Sequence, residues 1–182
     1  MSAAATKVPT GTWNVDPAHS SVEFQVKHLG IATVKGSFKE FAGSLTADED
    51  GSIAASGTVE VASVDTREAQ RDEHLRSADF FDIENNPQIT FTSTAIEHLD
   101  EETFKITGDI TIHGVTKPIT LEAVVDGTEE DPWGNQRVGL SATGQLSRGD
   151  FGMKFNQALG SGNVVVSDKV KLAIEVSAVR AA

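Results

Sequence analysis

The sequence predicts an all-β protein, an antiparallel barrel or sandwich of about eight strands with one helical insertion. Three observations predict it. Apolar and polar residues alternate with period two along most of the 182 residues, the connections are short, and only 66–82 has a plausible helical pattern. Because no linker divides the chain, residues 1–182 are interpreted as one domain with a flexible N-terminus over 1–10.

The first half of the chain begins with a strand whose inward face carries Val22, Phe24, Val26 and His28. His28 is therefore expected to point into the barrel. The alternation continues over 31–38 and then reverses its phase, which a bulge near Lys39 and Glu40 would explain. Before the helical segment, Asp65 and Glu68 have the spacing of a capping box.

The second half continues the alternation after the helical segment. The residues expected to point inward are Ile89, Phe91, Ser93, Ala95, Phe104, Ile106, Gly108, Ile110, Ile112, Ile119, Leu121, Ala123, Val125, Val138, Leu140, Ala142, Gly144, Leu146, Val170, Leu172, Ile174 and Val176. Many of these side chains are small, whereas protein interiors are close-packed. Either bulky residues from facing strands fill the space, or the interior holds a small ligand.

The composition excludes several kinds of site. The chain has no cysteine, so disulfides and thiol chemistry are absent. Its five histidines lack metal-ligand spacing, and we predict neither a metal nor a catalytic residue. The net charge of −12 argues against nucleic acid and against anionic membrane surfaces. No segment has the roughly 20 apolar residues of a membrane span. Without a visible signal peptide, the protein is expected to be cytoplasmic.

Four polar residues are candidates for ligand contacts. Inward-pointing His28 either bonds a backbone carbonyl or donates to a ligand oxygen. Arg71 and His74 share one side of the predicted helix with Arg67, where they either form a salt-bridged cap or hold a phosphate, carboxylate or quinone oxygen. Arg148 either ties the barrel end together with Asp150 or contacts the ligand head group.

Four segments of the chain resemble the YceI family of lipocalin-like barrels, also called polyisoprenoid-binding proteins. They are Asp16–Phe24 with His28–Gly30, Arg71–Leu75 with Asp79–Asp82 and Pro87–Phe91, Gly108–Pro118, and Arg148–Gly152. The resemblance runs from about Thr12 to Val179. It implies an eight-stranded antiparallel up-and-down barrel, extended and lipocalin-like, with a short helical insertion around 66–81.

The resemblance also implies a function. Family members hold a polyprenyl chain in an apolar tunnel, as an isoprenoid quinone or a polyprenyl phosphate, and dimers are common. We therefore expect a small apolar lipid ligand, no cofactor beyond that ligand, no stable membrane insertion and a possible homodimer. The expected ligand-binding residues are Phe24, Val26, His28, Phe38, Arg71, His74, Phe91, Phe104, Ile106, Ile110, Leu121, Leu140, Arg148 and Ile174.

The expected role is the storage or transport of this lipid, without enzymatic activity. Two alternatives stay open. The protein is a stress-related or structural module without a specific ligand, or it is an enzyme acting on a lipid-like substrate with His28 or His74 as general base.

Overall fold

The computed structural model describes residues 8–157, 159–161 and 164–182. Its strands are β1 (Gly11–Val15), β2 (Ser21–His28), β3 (Ala32–Phe38), β4 (Phe41–Ala47), β5 (Ile53–Glu60), β6 (Val64–Asp65), β7 (Gln88–His98), β8 (Thr103–Ile112), β9 (Val115–Glu130), β10 (Gln136–Ser147) and β11 (Val166–Arg180). The α-helix α1 spans Ala69–Arg76, and short 3₁₀ turns span Pro17–His19, Val61–Ser63 and Arg148–Phe151. The predicted all-β class is confirmed.

The strands form one closed antiparallel barrel with eight positions in its wall. Going round the wall, β4 is followed by β5, β7, β8, β9, β10 and β11, and β1 pairs with both β11 and β4. β11 pairs with β2 along its first part and with β1 at its end. The short strands β1 and β2 therefore share one position in the wall. In the same way β3 and β4 fill the next position, and β6 extends β5 alongside β3.

The wall is interrupted where one strand of a shared position ends and the other begins. Between β1 and β2 the chain makes the Pro17–His19 turn, and Asp16 caps that turn by accepting a hydrogen bond from Ala18 N at 3.0 Å. Between β3 and β4, residues 39–40 leave the strand and bond to Ser63 instead. The predicted phase change near Lys39 and Glu40 is therefore a break between two strands.

The antiparallel connections define two ends of the barrel. The terminal end carries the β4–β5, β7–β8 and β9–β10 turns, together with Gly11 and Arg180, the first residue of β1 and the last of β11. The helix end carries the β2–β3 turn, the β5–β7 connection with α1, the β8–β9 turn and the β10–β11 connection. Val8, placed by the sequence analysis in a flexible N-terminus, is 1% exposed and packs at the terminal end with Trp13, whose Nε1 donates to Pro9 O.

The helix is shorter than the sequence predicted. Arg67 has a φ of 69°, so the backbone cannot be helical at that residue. The Asp65 carboxylate caps the Arg67 amide at 2.8 Å, and Glu68 is the N-cap of α1, accepting from Gln70 N at 3.4 Å. After Arg76, the Ser77 hydroxyl bonds His74 O and the chain continues as turns. Asp65 and Glu68 have the spacing of a capping box, but each caps a different amide: Asp65 caps Arg67 N, and Glu68 caps the start of α1.

Three apolar clusters fill the barrel. Trp13, Phe104 and Val138 belong to the cluster at the terminal end, and Ile112 and Phe151 to a second cluster beneath the β8–β9 turn. The third cluster contains Phe24 and Phe38 and extends to Leu75 of α1. The helix therefore covers one end of the barrel by its contacts with the third cluster.

Several of the small residues that face inward are glycines, and some of them have no room for a side chain. A Cβ on Gly108 would lie 2.5 Å from the Phe91 ring, and one on Gly144 would lie 2.4 Å from Leu121 Cδ2. Larger side chains from neighbouring strands therefore occupy the space above these glycines. Ala95, which was predicted to point inward, is exposed because a bulge between Ser93 and Ala95 shifts the phase of β7. Only some of the small residues leave free volume.

Candidate ligand-binding cavity

An apolar cavity of about 250 Å³ lies inside the barrel. Its wall is almost entirely hydrocarbon. The residues that contribute atoms to it are Val15, Ser21, Val22, Glu23, Phe38, Phe41, Ala42, Gly43, Ser44, Leu45, Ala55, Ser56, Gly57, Thr58, Val59, Ile89, Phe91, Ile106, Ile110, Ile112, Ile119, Leu121, Ala123, Leu140, Ala142, Leu146, Leu172, Ile174, Glu175, Val176 and Ala178. Such a cavity can hold hydrocarbon, but its described lining offers an anionic group no partner of opposite sign.

A larger depression of about 500 Å³ lies on the outer face of β2, β9, β10 and β11. Polar residues such as Gln25, Glu122, Thr143 and Lys171 contribute to its lining. Because it is open to solvent and lies outside the barrel, it does not provide the enclosed apolar surface that a small hydrophobic ligand requires. The interior cavity is therefore the better candidate site.

Half of the predicted ligand-binding residues line the interior cavity: Phe38, Phe91, Ile106, Ile110, Leu121, Leu140 and Ile174. They lie on β3, β7, β8, β9, β10 and β11, because period-two alternation places one face of each strand inside the barrel. Whether they contact a ligand stays a prediction.

Three apolar residues predicted for the tunnel wall do not line the cavity. Phe24 packs over Gly36, where a Cβ would lie 2.3 Å from the ring, and its centroid is 5.4 Å from that of Phe38. Val26, which pairs with Val34 and Val170, also lies outside the lining. Phe104 is 2% exposed in the terminal-end cluster. Phe24 and Phe104 support the cavity from either end.

His28 is exposed, although its position in the alternation predicted a buried imidazole. It is the last residue of β2, and it is exposed at the helix end, where it pairs with Val166 and Ala32. At the end of a strand the next residues turn away, so alternation no longer determines burial. The predicted contact between His28 and a buried ligand oxygen has no support from this position.

Arg71 and His74 are both occupied by contacts within their own segment. Arg71 donates from Nε to Thr66 Oγ1 and from Nη2 to Thr66 O, each at 2.7 Å. His74 Nε2 lies 2.8 Å from Asp79 Oδ2, and the imidazole contacts the rings of Phe80 and Phe155. Neither residue lines the cavity, so a head-group role for them requires the head group to lie outside it.

Arg148 is a buried residue with three backbone partners. Its guanidinium donates to Ser167 O at 2.9 Å, Met153 O at 2.8 Å and Val166 O at 3.1 Å, and the side chain is only 5% exposed. Burial lowers the pKa of Arg148, while the charge of Asp168 acts in the opposite direction. These contacts tie the β10–β11 connection together, as one of the two sequence interpretations predicted, but through carbonyls rather than Asp150.

A charged network holds the break between β1 and β2. Arg137 donates from Nε to Asp131 and from Nη1 to Asp16, at 2.8 and 2.9 Å. Hydrogen bonds from His19 and Arg137 lower the pKa of Asp16 to about 2. Burial raises the pKa of Asp131, but hydrogen bonds from Asn135 and Arg137 outweigh it and lower this pKa to about 2 as well. The network links the 3₁₀ turn beside the cavity to the β9–β10 hairpin.

Sequence reasoning missed the part of the cavity formed by the first and fourth strands. Val15, Phe41 and Leu45 line it, and none was nominated as a site residue. The alternation from Phe41 to Leu45 was visible in the sequence and could have identified two of them. Val15 was harder to find, because β1 is short and ends at a proline-containing turn.

No group of three or more His, Asp or Glu side chains in the described part of the chain could hold a metal ion. Likewise, no helix within the described ranges is long and apolar enough to cross a membrane.

The comparisons with known proteins agree with the fold. Residues 13–178 match the model of the YceI-like domain. The chain is 44% identical to "Protein YceI" of Escherichia coli O17:K52:H18 over 164 residues, which cover 89% of this chain and 82% of that protein. It is 35% identical to a Campylobacter jejuni YceI protein, whose crystal structure matches with a TM-score of 0.74 over 86% of this chain and 90% of that one.

A polyisoprenoid-binding domain from Saccharophagus degradans, implicated in plant cell wall breakdown, has the same fold. Its TM-score is 0.71 at 14% identity, and the match covers 95% of this chain and all of that one. At this identity the similarity establishes the architecture alone. With a family model matching nearly the whole barrel and relatives above 40% identity, the chain belongs to the YceI-like domain family.

Proposed function

We propose that the protein binds an isoprenoid lipid, with the hydrocarbon chain in the cavity of the barrel. The observation that carries this proposal is the almost wholly hydrocarbon wall of the cavity. Support also comes from the Saccharophagus degradans domain, which has this architecture and is described as polyisoprenoid-binding. Storage or transport of this lipid is the role we expect for such a site.

The affinity would come from the hydrophobic effect. Each buried methylene contributes about 0.8 kcal/mol, so a branched hydrocarbon chain binds without any specific hydrogen bond. The cavity of about 250 Å³ lies just below the usual range of roughly 300–1,000 Å³ for ligand pockets. A long polyprenyl chain would therefore fill the cavity with its first units and displace side chains to go further.

The lining of the cavity favours an uncharged head group. Among the described residues, no lysine, arginine or histidine borders it. A phosphate inside the barrel would therefore lack a partner of opposite charge, whereas a quinone or an alcohol needs none. Within the predicted ligands, we therefore expect the isoprenoid quinone to bind better than the polyprenyl phosphate.

The test compares a cavity variant with a matched control on the neighbouring residue. Ala142 lines the cavity, whereas Thr143 is exposed on the outer face of the same strand. Ala142→Trp should abolish the uptake of a quinone with a short isoprenoid tail, and Thr143→Trp should leave one quinone per chain in native mass spectrometry. Normal uptake by a folded Ala142→Trp variant would refute binding in the cavity.

The remaining expectations are separate proposals with their own measurements. A homodimer would appear as twice the monomer mass in light scattering of the purified protein. A cytoplasmic location would appear as recovery in the spheroplast fraction of the source cells. An organic extract of freshly purified protein would identify a resident lipid, and a turnover assay on that lipid tests the expectation that the protein is not an enzyme.

A further inference from the structure

The net charge of −12 is not spread evenly over the barrel. Three neighbouring turns at the terminal end and the adjoining end of β9 carry ten carboxylates: Asp48, Glu49, Asp50, Asp100, Glu101, Glu102, Asp126, Glu129, Glu130 and Asp131. Arg137 and Arg180 bring positive charge to this end, and Lys105 lies three residues from the β7–β8 turn. The terminal end is therefore strongly negative, whereas the helix end carries most of the lysines and arginines together with a comparable number of carboxylates, such as Glu68, Asp72 and Glu73 of the α1 region.

Part of the helix end contains no acidic residue at all. The segments 24–39 and 151–167 include no Asp or Glu, although the chain as a whole has 27 of them. Hydrogen bonds join these segments: Leu29 N donates to Val165 O at 3.0 Å, and Lys27 N donates to Ser167 Oγ at 3.2 Å. Asn156 bonds Val166 O at 2.7 Å and extends the same patch.

This patch exposes apolar side chains beside lysines. We name it the docking edge and define it by Lys27, Leu29, Ile31, Lys154, Phe155 and Val164. Ile31 is 78% exposed at the tip of the β2–β3 turn, and Phe155 and Val164 are each 37% exposed. The α1 segment borders the edge through the contact between His74 and Phe155, and its carboxylate Asp79 is bonded to His74.

We propose that the docking edge binds the surface of a lipid bilayer that carries anionic head groups. Exposed apolar side chains enter the boundary between head groups and acyl chains, and lysines reach the phosphates around them. The ten carboxylates at the opposite end are repelled by the same surface, so the barrel is held with its helix end toward the membrane. A protein with a net negative charge can thus dock on a negative surface in one orientation.

Docking goes beyond the proposed lipid binding and can be measured without any isoprenoid. The measurement is co-sedimentation of the protein with vesicles of phosphatidylcholine, with or without phosphatidylglycerol. The wild type should bind the anionic vesicles at low salt, and it should be released at about 1 M salt, where the Debye length falls to about 3 Å. Vesicles of phosphatidylcholine alone should bind it weakly.

Variants at the helix end and at the terminal end distinguish docking through this edge from non-specific adsorption to vesicles. Ile31→Glu should weaken binding about tenfold, because it removes one buried aliphatic side chain. Lys27→Glu and Lys154→Glu should each weaken it about fivefold or more. Trp133→Glu is the matched control, since Trp133 is 79% exposed in the acidic β9–β10 hairpin and should not touch the membrane.

Three results would overturn the proposal. The wild type fails to bind anionic vesicles, or Ile31→Glu binds as well as the wild type, or Trp133→Glu loses binding to the same extent. In one such outcome the wild type does not bind vesicles, and light scattering shows that Ile31→Glu dissociates a dimer. The docking edge is then an interface between two copies of the chain. Quinone uptake in native mass spectrometry is scored separately, so loss of docking with normal uptake leaves the cavity proposal intact.

Discussion

Replacing Gly57 with valine is expected to stabilise the lipid-free barrel and to reduce its capacity for lipid. Gly57 lines the cavity on β5, and a Cβ built on it would have a single neighbour within 4 Å, Ala42 O at 3.4 Å. Valine adds three carbons, worth about 0.8 kcal/mol each when buried. Replacing glycine contributes roughly 0.5–1 kcal/mol more, and the lost side-chain freedom subtracts about 0.5 kcal/mol.

The net stabilisation is about 2.4–2.9 kcal/mol, which corresponds to a rise in Tm of about 5–12 °C for a chain of this size. The assay is thermal and urea unfolding of protein from which lipid has been extracted, beside quinone titration by native mass spectrometry. Lipid removal matters because a bound ligand raises the stability of the wild type alone.

Gly108→Ala, on the inner face of β8, is the matched variant in which the added carbon has no room. Its Cβ would lie 2.5 Å from the Phe91 ring and 2.6 Å from Thr92 O, so we expect a loss of about 1–3 kcal/mol. If Gly57→Val also destabilises the lipid-free protein, the space beside Gly57 is not free. If it is stable but takes up quinone normally, the lipid does not occupy that part of the cavity.

Three further variants test the polar contacts. Arg148→Met should cost about 3 kcal/mol or more in urea unfolding, because three carbonyls lose their donor; a loss below about 1 kcal/mol would contradict this. In the wild type, the lowered pKa values of Asp16 and Asp131 stabilise the fold above pH 4, and this contribution should disappear as the pH falls from about 4 to 2. Arg137→Gln should lower Tm at neutral pH and flatten that acid dependence, and an unchanged profile would rule out the network. His74→Ala should leave quinone stoichiometry unchanged, since its imidazole lies outside the cavity; loss of binding in a folded variant would restore it as a head-group contact.

The sequence predicted the fold class and most inward positions of the long strands. On β8 and β9 the residues from Phe104 to Ile112 and from Ile119 to Val125 alternate as expected, because an antiparallel strand with one buried face imposes period two. Where the pairing changes, the prediction fails. The bulge in β7 moved Ala95 to the surface, and the end of β2 left His28 exposed.

The cavity was harder to predict than the strands. The small residues suggested free volume, but Phe91 fills the space at Gly108, and only positions such as Gly57 stay open. Which large side chain packs over a given glycine depends on the pairing register of the neighbouring strand. The alternation of apolar and polar residues does not reveal that register. The partners of Arg148 are backbone carbonyls at 153, 166 and 167, and no residue type in the sequence signals them.

The pairing of β1 with β11 also bears on how this protein is made. Trp13 lies opposite Arg180, so nearly the whole chain must be present before the barrel wall can close. Until β11 is made, β1, β2 and β10 each lack a neighbour and present unpaired backbone groups, the kind of edge that promotes aggregation. Closure therefore waits until β11 has left the ribosome, and the cavity exists to receive cargo only after that strand is made. Folding should be slow for a domain of this size because the essential contact is non-local.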